Sequence, residues 1–196
     1  MTNKDFNFIA RSDIGSLLVH WTRSKETESQ TTTAFNILRK IVRERRIRSG
    51  NGYIRGNYNC VCFTESPISD LVKVFSLAKM NEEKVRRHRY EPYGIGIRKE
   101  WLFNQGGRPV IYGSSEDYTE LPESLKWRYV NYNPPAIDFT WEREWRIKTD
   151  VLELEPEQTV LVVPTRAYAR QLDDIIDGHW LTLTLSILGL PSDWAD

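Results

Sequence analysis

The sequence predicts an α+β fold in a single domain that spans residues 1–196. The chain has 196 residues, of which 40% are hydrophobic and 12% aromatic, which suits one well-filled core better than two. Candidate strands and helices do not alternate regularly, and strands cluster in the second half, which favours α+β over a βα alternation. Neither a repeat nor a low-complexity tract divides the chain.

The first half of the chain predicts two strands, each followed by a helix. Residues 15–22 begin apolar and end in His, Trp and Thr, typical of a buried strand whose far end reaches a surface or cleft. Residues 31–47 place apolar side chains at helical spacing. Residues 50–59, rich in Gly and Asn, predict irregular structure before the short strand Cys60–Thr64. A Ser-Pro pair then suits the start of the second helix.

The second half predicts mainly strands, separated by turns rich in Gly and Pro. Strands are expected at residues 93–97, 109–112, 139–148 and 159–163, helices at 122–130 and 165–176, and a last strand or helix at 180–190. The loop at residues 131–138, with two adjacent prolines, resists both helix and strand.

The net charge of zero hides an imbalance between the two parts of the chain. Residues 1–149 hold 25 Lys and Arg against 18 Asp and Glu (+7), whereas residues 150–196 hold 2 against 9 (−7). Two basic runs, at residues 39–48 and 84–89, together hold 10 of these 25 Lys and Arg. Such runs are typical of solvated helix faces and are also compatible with a nucleic-acid partner, so both interpretations stay open.

Cysteine usage and the absence of targeting signals favour a soluble protein of the cytoplasm. Cys60 and Cys62 are the only cysteines, they lie too close for an easy disulfide, and no Cys or His pair completes a zinc site, so we expect no metal. The N-terminus lacks a basic-then-apolar signal, and the longest apolar run, at residues 181–190, contains polar residues.

The segment WEREWRIK at residues 141–148 carries the most unusual polar pattern. On a strand, residues two apart share a face. One predicted face carries Glu142, Glu144 and Arg146. The other carries Trp141, Arg143, Trp145 and Ile147, and we expect this tryptophan face to be buried. The carboxylates then form either a solvated ladder or a working pair whose mutual repulsion Arg146 relieves.

Two further places hold candidate ligand contacts. The strand end His20-Trp21-Thr22 can hold a polar ligand, although a lone histidine is also a common structural residue. The run FTESP at residues 63–67 ends a strand and begins a helix, where free N–H groups favour anions, although a plain helix cap explains it equally.

These motifs together resemble known proteins. A first strand ending in His20-Trp21-Thr22, a helix with Ile-Leu-x-x-Ile, a Gly-rich stretch, Phe-Thr-x-x-Pro and a late strand with Glu resemble the ADP-ribosyltransferase fold. The runs VCFTESP (61–67), YGIGIRKEWL (93–102), GxPVxY (107–112) and WEREWR (141–146) resemble bacterial abortive phage infection proteins of the AbiG type. The second resemblance covers residues 20–147.

The transferase resemblance implies a mixed, mainly antiparallel split sheet with flanking helices, and NAD as substrate. It implies that His20 hydrogen-bonds NAD, that the main chain around Trp21 and Thr22 holds the nicotinamide amide, and that Phe63, followed by Thr64, stacks on nicotinamide. Tyr53, Arg55 and Tyr58, in the Gly- and Asn-rich segment before Phe63, would cover the dinucleotide, with Arg55 on a phosphate.

The same resemblance makes Glu144 the catalytic glutamate and Glu142 its Glu-x-Glu partner. Breaking the bond between nicotinamide and ribose develops positive charge on the sugar, which a nearby carboxylate stabilises. Glu142 would orient or deprotonate the acceptor.

Three functions follow as expectations. The first is a mono-ADP-ribosyltransferase acting as a toxin or anti-phage effector on a nucleic-acid or protein acceptor, with a cognate antitoxin as partner. The second is an NAD glycohydrolase, with water as acceptor. The third is a non-catalytic binding protein, such as the antitoxin of a defence pair, whose acidic segment from Asp150 onward contacts a basic partner. The enzymatic expectations require His20, Phe63 and Glu144 to line one cleft.

Overall fold

The computed structural model describes residues 15–27, 29–80 and 90–191, and the second basic run at residues 84–89 lies outside them. The predicted α+β class is confirmed, because a mixed seven-stranded sheet is accompanied by a few short helices. In the part of the chain that is described, no helix is long and apolar enough to cross a membrane.

Thirteen strands are present among the described residues. In chain order they are β1 (Leu17–Trp21), β2 (Lys25–Glu26), β3 (Thr31–Thr32), β4 (Arg46–Arg48), β5 (Cys60–Thr64), β6 (Gly94–Arg98), β7 (Arg108–Pro109), β8 (Ile111–Gly113), β9 (Tyr129–Asn131), β10 (Glu144–Lys148), β11 (Val151–Glu153), β12 (Thr159–Val163) and β13 (Leu181–Thr184).

The helices are fewer and mostly short. They are α1 (Ala34–Glu44), α2 (Ile68–Met80), α3 (Lys99–Asn104), α4 (Ser115–Glu120) and α5 (Arg166–Arg170), with 3-10 turns at Lys126–Arg128, Thr140–Glu142, Pro156–Gln158 and Leu185–Leu188.

The central sheet has the strand order β13–β12–β6–β1–β5–β10–β7. The β12–β13 pair is parallel, and the other five pairings are antiparallel. Strands β1, β5 and β10, which carry the candidate residues, are therefore adjacent at the centre of the sheet.

The register of the sheet divides its side chains between two faces, because directly paired residues point to the same side. Phe63 pairs with Trp145, and both belong to the core cluster that includes Phe35 and Leu38 of α1. Val19, which pairs with Thr64, belongs to the second cluster, with Leu71, Val72 and Phe75 of α2. We call these two sides the α1 face and the α2 face.

Several predicted elements are confirmed. Strands β5 and β12 match the prediction residue for residue, and the strand predicted at 93–97 is shifted by one residue. The helix predicted at 31–47 is shorter, because Arg45 adopts a left-handed backbone with φ of 50° that ends α1 before the strand β4.

The helix predicted at residues 122–130 is wrong. That segment forms only the turn Lys126–Arg128 and then β9, which pairs in parallel with β8. The helix lies upstream as α4, where Ser114 and Asp117 form a capping box. Pairing with β8 satisfies the backbone N–H and C=O groups of residues 129–131, which in a helix would be satisfied by intrahelical hydrogen bonds.

Candidate functional site

The segment predicted as a strand at residues 139–148 is a strand only from Glu144. Thr140–Glu142 forms a 3-10 turn, and Arg143 has a left-handed φ of 47°. The predicted alternation is therefore wrong before Glu144: Trp141 is 46% exposed and Glu142 is 2% exposed. The Tyr112 hydroxyl holds both ends of this turn, since it donates to the Phe139 carbonyl at 3.1 Å and accepts from the Glu144 N–H at 3.1 Å.

Glu144 lies on the α2 face and forms a buried ion pair with Arg146. Glu144 pairs with Thr64 across the sheet, and Thr64 shares its face with Val19. The two Glu144 oxygens accept bonds from Arg146 Nε at 2.8 Å and a terminal nitrogen at 3.3 Å. The predicted solvated ladder is thus wrong, because Glu144 is 9% and Arg146 4% exposed.

Arg146 is held by more than this carboxylate. Its second terminal nitrogen donates to the carbonyls of Trp127 at 3.0 Å and Tyr129 at 2.9 Å. Burial alone lowers an arginine pKa, but the adjacent Glu144 carboxylate outweighs that effect, and the pKa of Arg146 is raised. The ion-paired Arg146 therefore links β10 to the backbone of residues 127–129.

Glu142 joins this site from the turn. Its carboxylate accepts a bond from the Tyr90 hydroxyl at 2.7 Å, and its carbonyl accepts one from the Thr64 hydroxyl. Burial raises the pKa of Tyr112, and the negative charges of Glu144 and Glu142 raise it further. Both carboxylates thus lie close to one phenol, and we call Glu142, Glu144, Arg146, Tyr90 and Tyr112 the carboxylate cluster.

His20 and Phe63 lie on the opposite face of the sheet from Glu144. The pairing of Val19 with Thr64 and of Trp145 with Phe63 places both on the α1 face, and their rings meet edge to face at 5.8 Å. His20 Nδ1 donates to the Cys62 carbonyl at 2.8 Å. Burial lowers the pKa of His20, although the hydrogen bond to Cys62 acts in the opposite direction.

Trp21 and Thr22 are occupied by contacts within the fold. The indole of Trp21 packs against Phe75 of α2, with ring centroids 5.1 Å apart. The Thr22 hydroxyl lies 3.0 Å from the carbonyls of both Ala34 and Tyr93. These contacts tie the end of β1 to its neighbours.

Tyr53 and Arg55 lie in the irregular segment before β5, but they have different neighbours. Tyr53 is 85% exposed, and its ring is 5.7 Å from the Arg23 guanidinium. Arg55 lies over the Tyr118 ring at 4.0 Å and 5.8 Å from the Tyr129 ring. The Tyr129 backbone carbonyl binds Arg146 instead.

Glu65 is a buried carboxylate that the sequence interpretation did not single out. It accepts bonds from the Trp145 indole N–H at 2.9 Å and from the Lys99 ammonium. The signal for it was available, because Glu65 follows Phe63 at the strand period of two and so continues the buried side of β5. Beside Lys99 and Trp145 opens a groove of about 790 Å³, which the exposed Phe103 and Leu181 also line.

The two cysteines are free thiols, and burial raises the pKa of both, that of Cys60 to about 11. The Glu144 carboxylate further raises the pKa of Cys62. Within residues 15–27, 29–80 and 90–191, no group of three or more His, Cys, Asp and Glu side chains is arranged to hold a metal ion.

Most cations of the first basic run have an acidic partner within the chain, although three of them share Glu44. Arg39 pairs with Asp174 at 3.1 Å, and Arg45 pairs with Asp177. Glu44 pairs with Lys40, Arg46 and Arg48, at 3.9, 3.3 and 3.2 Å. Part of the acidic segment after Asp150 therefore packs on the chain's own helix α1.

Fold and site together define an α+β protein with a buried carboxylate cluster at one end of its central sheet. No known protein family, no curated protein and no solved structure matches the chain.

Proposed function

We propose that this protein acts by binding a partner protein, as the neutralising member of a phage-defence pair, and does not consume NAD. The AbiG-type resemblance supplies the biological setting. The observation that carries the proposal is the separation of Glu144 from His20 and Phe63 by the central sheet.

An NAD site of the transferase type needs these three residues around one nicotinamide ribose. Strands β1, β5 and β10 are adjacent and hydrogen-bonded to one another. A dinucleotide on the α1 face reaches His20 and Phe63, whereas one on the α2 face reaches Glu144. A ligand on one face reaches the other only around the strand ends or by breaking the backbone hydrogen bonds between the strands.

The surroundings of Glu144 also favour a structural role. Both of its oxygens bind Arg146 in a buried pair, so the guanidinium already balances the charge that would stabilise a ribose cation, and only 9% of Glu144 is exposed to a ligand. In contrast, the exposed Phe103 and Leu181 beside the groove supply apolar surface of the kind used in protein contacts.

The test combines an NAD assay with a neutralisation assay. Incubation of the purified full chain with labelled NAD and cell extract is expected to release no nicotinamide and to label no protein or nucleic acid. The tagged chain is expected to copurify from its native cells with one protein in stoichiometric amount. That protein alone should inhibit growth, and coexpression of this chain should restore growth.

The opposite pattern would overturn the proposal. It consists of NAD turnover, or growth inhibition by this chain alone, that disappears in a folded Glu144→Gln variant. The matched control is Glu153→Gln, which removes an exposed carboxylate on β11.

A second candidate is an NAD-consuming enzyme, either a mono-ADP-ribosyltransferase or an NAD glycohydrolase. It is favoured by two buried carboxylates, Glu142 and Glu144, in and directly after the turn that the Tyr112 hydroxyl holds at both ends. NAD would then bind on the α2 face, Glu144 would stabilise charge on the ribose, and Glu142 would activate the acceptor or water. His20 and Phe63 would have structural roles. Loss of turnover in both Glu144→Gln and Glu142→Gln would support this candidate.

A further inference from the structure

The cations of this chain differ in whether they already have an acidic partner. Those of helix α1 and strand β4 are largely paired, as described above for Arg39, Lys40 and Arg45. Arg55 and Lys148, by contrast, form no ion pair with any of the described residues, and each lies over a tyrosine ring. A polyanion gains most from cations whose charge is not already balanced.

These cations interleave with tyrosines on one surface. Arg55 lies 4.0 Å from the Tyr118 ring centroid, and Lys148 lies 4.9 Å from the Tyr58 ring. Lys126 lies 5.4 Å from the Tyr118 ring and is paired with Glu123 at 3.0 Å. We call these five residues the tyrosine surface. Cations placed beside aromatic rings are the arrangement that proteins use to bind single-stranded nucleic acid, with phosphates on the cations and bases on the rings.

A recess beside Tyr58 offers room for a base. It has a volume of about 400 Å³, and it is lined by Asn57, Tyr58, Asn59, Lys148, Thr149 and Asp150. Amide side chains are among those that pair with the edges of exposed bases. The recess therefore combines an aromatic ring, two amides, an ammonium group and the Asp150 carboxylate, which accepts a bond from Asn59 at 2.7 Å.

The tyrosine surface is fixed by its neighbours. The Tyr58 hydroxyl donates to the Glu123 carboxylate, and this bond raises the pKa of Tyr58 to about 12. Gly56 has a positive φ of 89°, and an added Cβ would lie 2.6 Å from the Tyr58 ring and 2.8 Å from the Tyr118 hydroxyl. Only glycine thus allows this loop to sit against both rings.

We propose that the tyrosine surface binds single-stranded nucleic acid, with Arg55 and Lys148 on phosphates and the recess beside Tyr58 receiving a base. This site is independent of the proposed partner protein and of the carboxylate cluster.

The test is fluorescence anisotropy of labelled single-stranded RNA, single-stranded DNA and duplex DNA titrated with the full chain. Single strands are expected to bind more tightly than duplex. Equal affinity for RNA and DNA supports recognition of phosphate and base, and tighter RNA binding supports an added 2′-hydroxyl contact. Tyr58→Leu should weaken binding by roughly 5- to 150-fold, as expected for losing one stacked base.

Matched variants distinguish binding at the tyrosine surface from nonspecific attraction of nucleic acid to positive charge. Lys148→Met should weaken binding and lower the slope of log affinity against log salt by about 0.7, whereas Lys40→Met, with the same charge change, should do neither. Gly56→Ala should weaken binding, whereas Gly52→Ala, whose Cβ would meet nothing within 4 Å, should not. Circular dichroism checks the fold of each variant.

The proposal is overturned if Lys40→Met weakens binding as much as Lys148→Met, or if duplex binds as tightly as single strands. It is equally overturned if no anisotropy change appears at about 50 mM salt, where phosphate contacts are strong.

Discussion

Replacing Glu144 by Gln should destabilise the protein strongly, because it removes the anion of a buried ion pair and keeps the side-chain shape. Arg146 would retain its bonds to the carbonyls of Trp127 and Tyr129, but its charge would be left uncompensated. The side chains of Glu144 and Arg146 are 11% and 5% exposed, so solvent replaces little of the lost interaction. Breaking such a pair costs about 3–5 kcal/mol of unfolding free energy.

The measurement is urea unfolding followed by circular dichroism, with thermal unfolding as a second readout. For a chain of this size each kcal/mol corresponds to about 2–4 °C, so the midpoint should fall by roughly 6–20 °C. The control Glu153→Gln should stay within about 0.5 kcal/mol of the wild type. In the double variant with Arg146→Met, the destabilisation should be smaller than the sum of the single effects. A Glu144→Gln protein as stable as the wild type would refute the structural role.

Three other measurements test the packing of the sheet. Gly94→Ala should cost about 1–3 kcal/mol in urea unfolding, because the added Cβ would lie 2.9 Å from the His20 carbonyl oxygen, whereas Gly50→Ala meets nothing within 4 Å and should be neutral. Burial lowers the pKa of His20 in the folded protein. The neutral imidazole therefore contributes stability at pH values above the unfolded pKa of about 6.5, and this contribution is lost as the pH falls below that value. The variant His20→Asn should lose this pH dependence of the unfolding free energy. Because the pKa values of Cys60 and Cys62 are raised, iodoacetamide at pH 8 should label them slowly in the native protein and rapidly in urea, and equal rates would contradict this burial.

Sequence patterns predicted the central strands well where burial alone decides them. The apolar runs at Cys60–Thr64 and Thr159–Val163 match the structure because both strands are covered on two sides. The pattern failed where a distant contact decides the backbone. The alternation in WEREW fits a strand, but the Tyr112 hydroxyl and the left-handed Arg143 turn residues 140–142 into a 3-10 turn.

The candidate site was predicted in part. The sequence identified Glu142 and Glu144 as unusual, and both are buried and close to Tyr112. It placed His20 and Phe63 with Glu144, although a side chain's face depends on the register between strands that are far apart in sequence. Val19 pairs with Thr64 and not with Phe63. This difference of one residue in register places His20 on the face of the sheet opposite to Glu144.

The runs FTESP and WEREWR, on which the resemblance to other proteins partly rests, are hydrogen-bonded to each other in the fold. The Thr64 hydroxyl bonds the Glu142 carbonyl, and the Ser66 hydroxyl bonds the Trp141 carbonyl. The Trp145 indole bonds the Glu65 carboxylate, and β5 and β10 pair along their full length. Each run is therefore the other's main packing partner, and together they close one end of the sheet. Two motifs that interlock in this way accompany each other because the fold requires both, whether or not a reaction takes place between them. These contacts thus account for both runs as parts of the fold, and NAD chemistry is tested separately by the turnover of Glu144→Gln and Glu142→Gln variants.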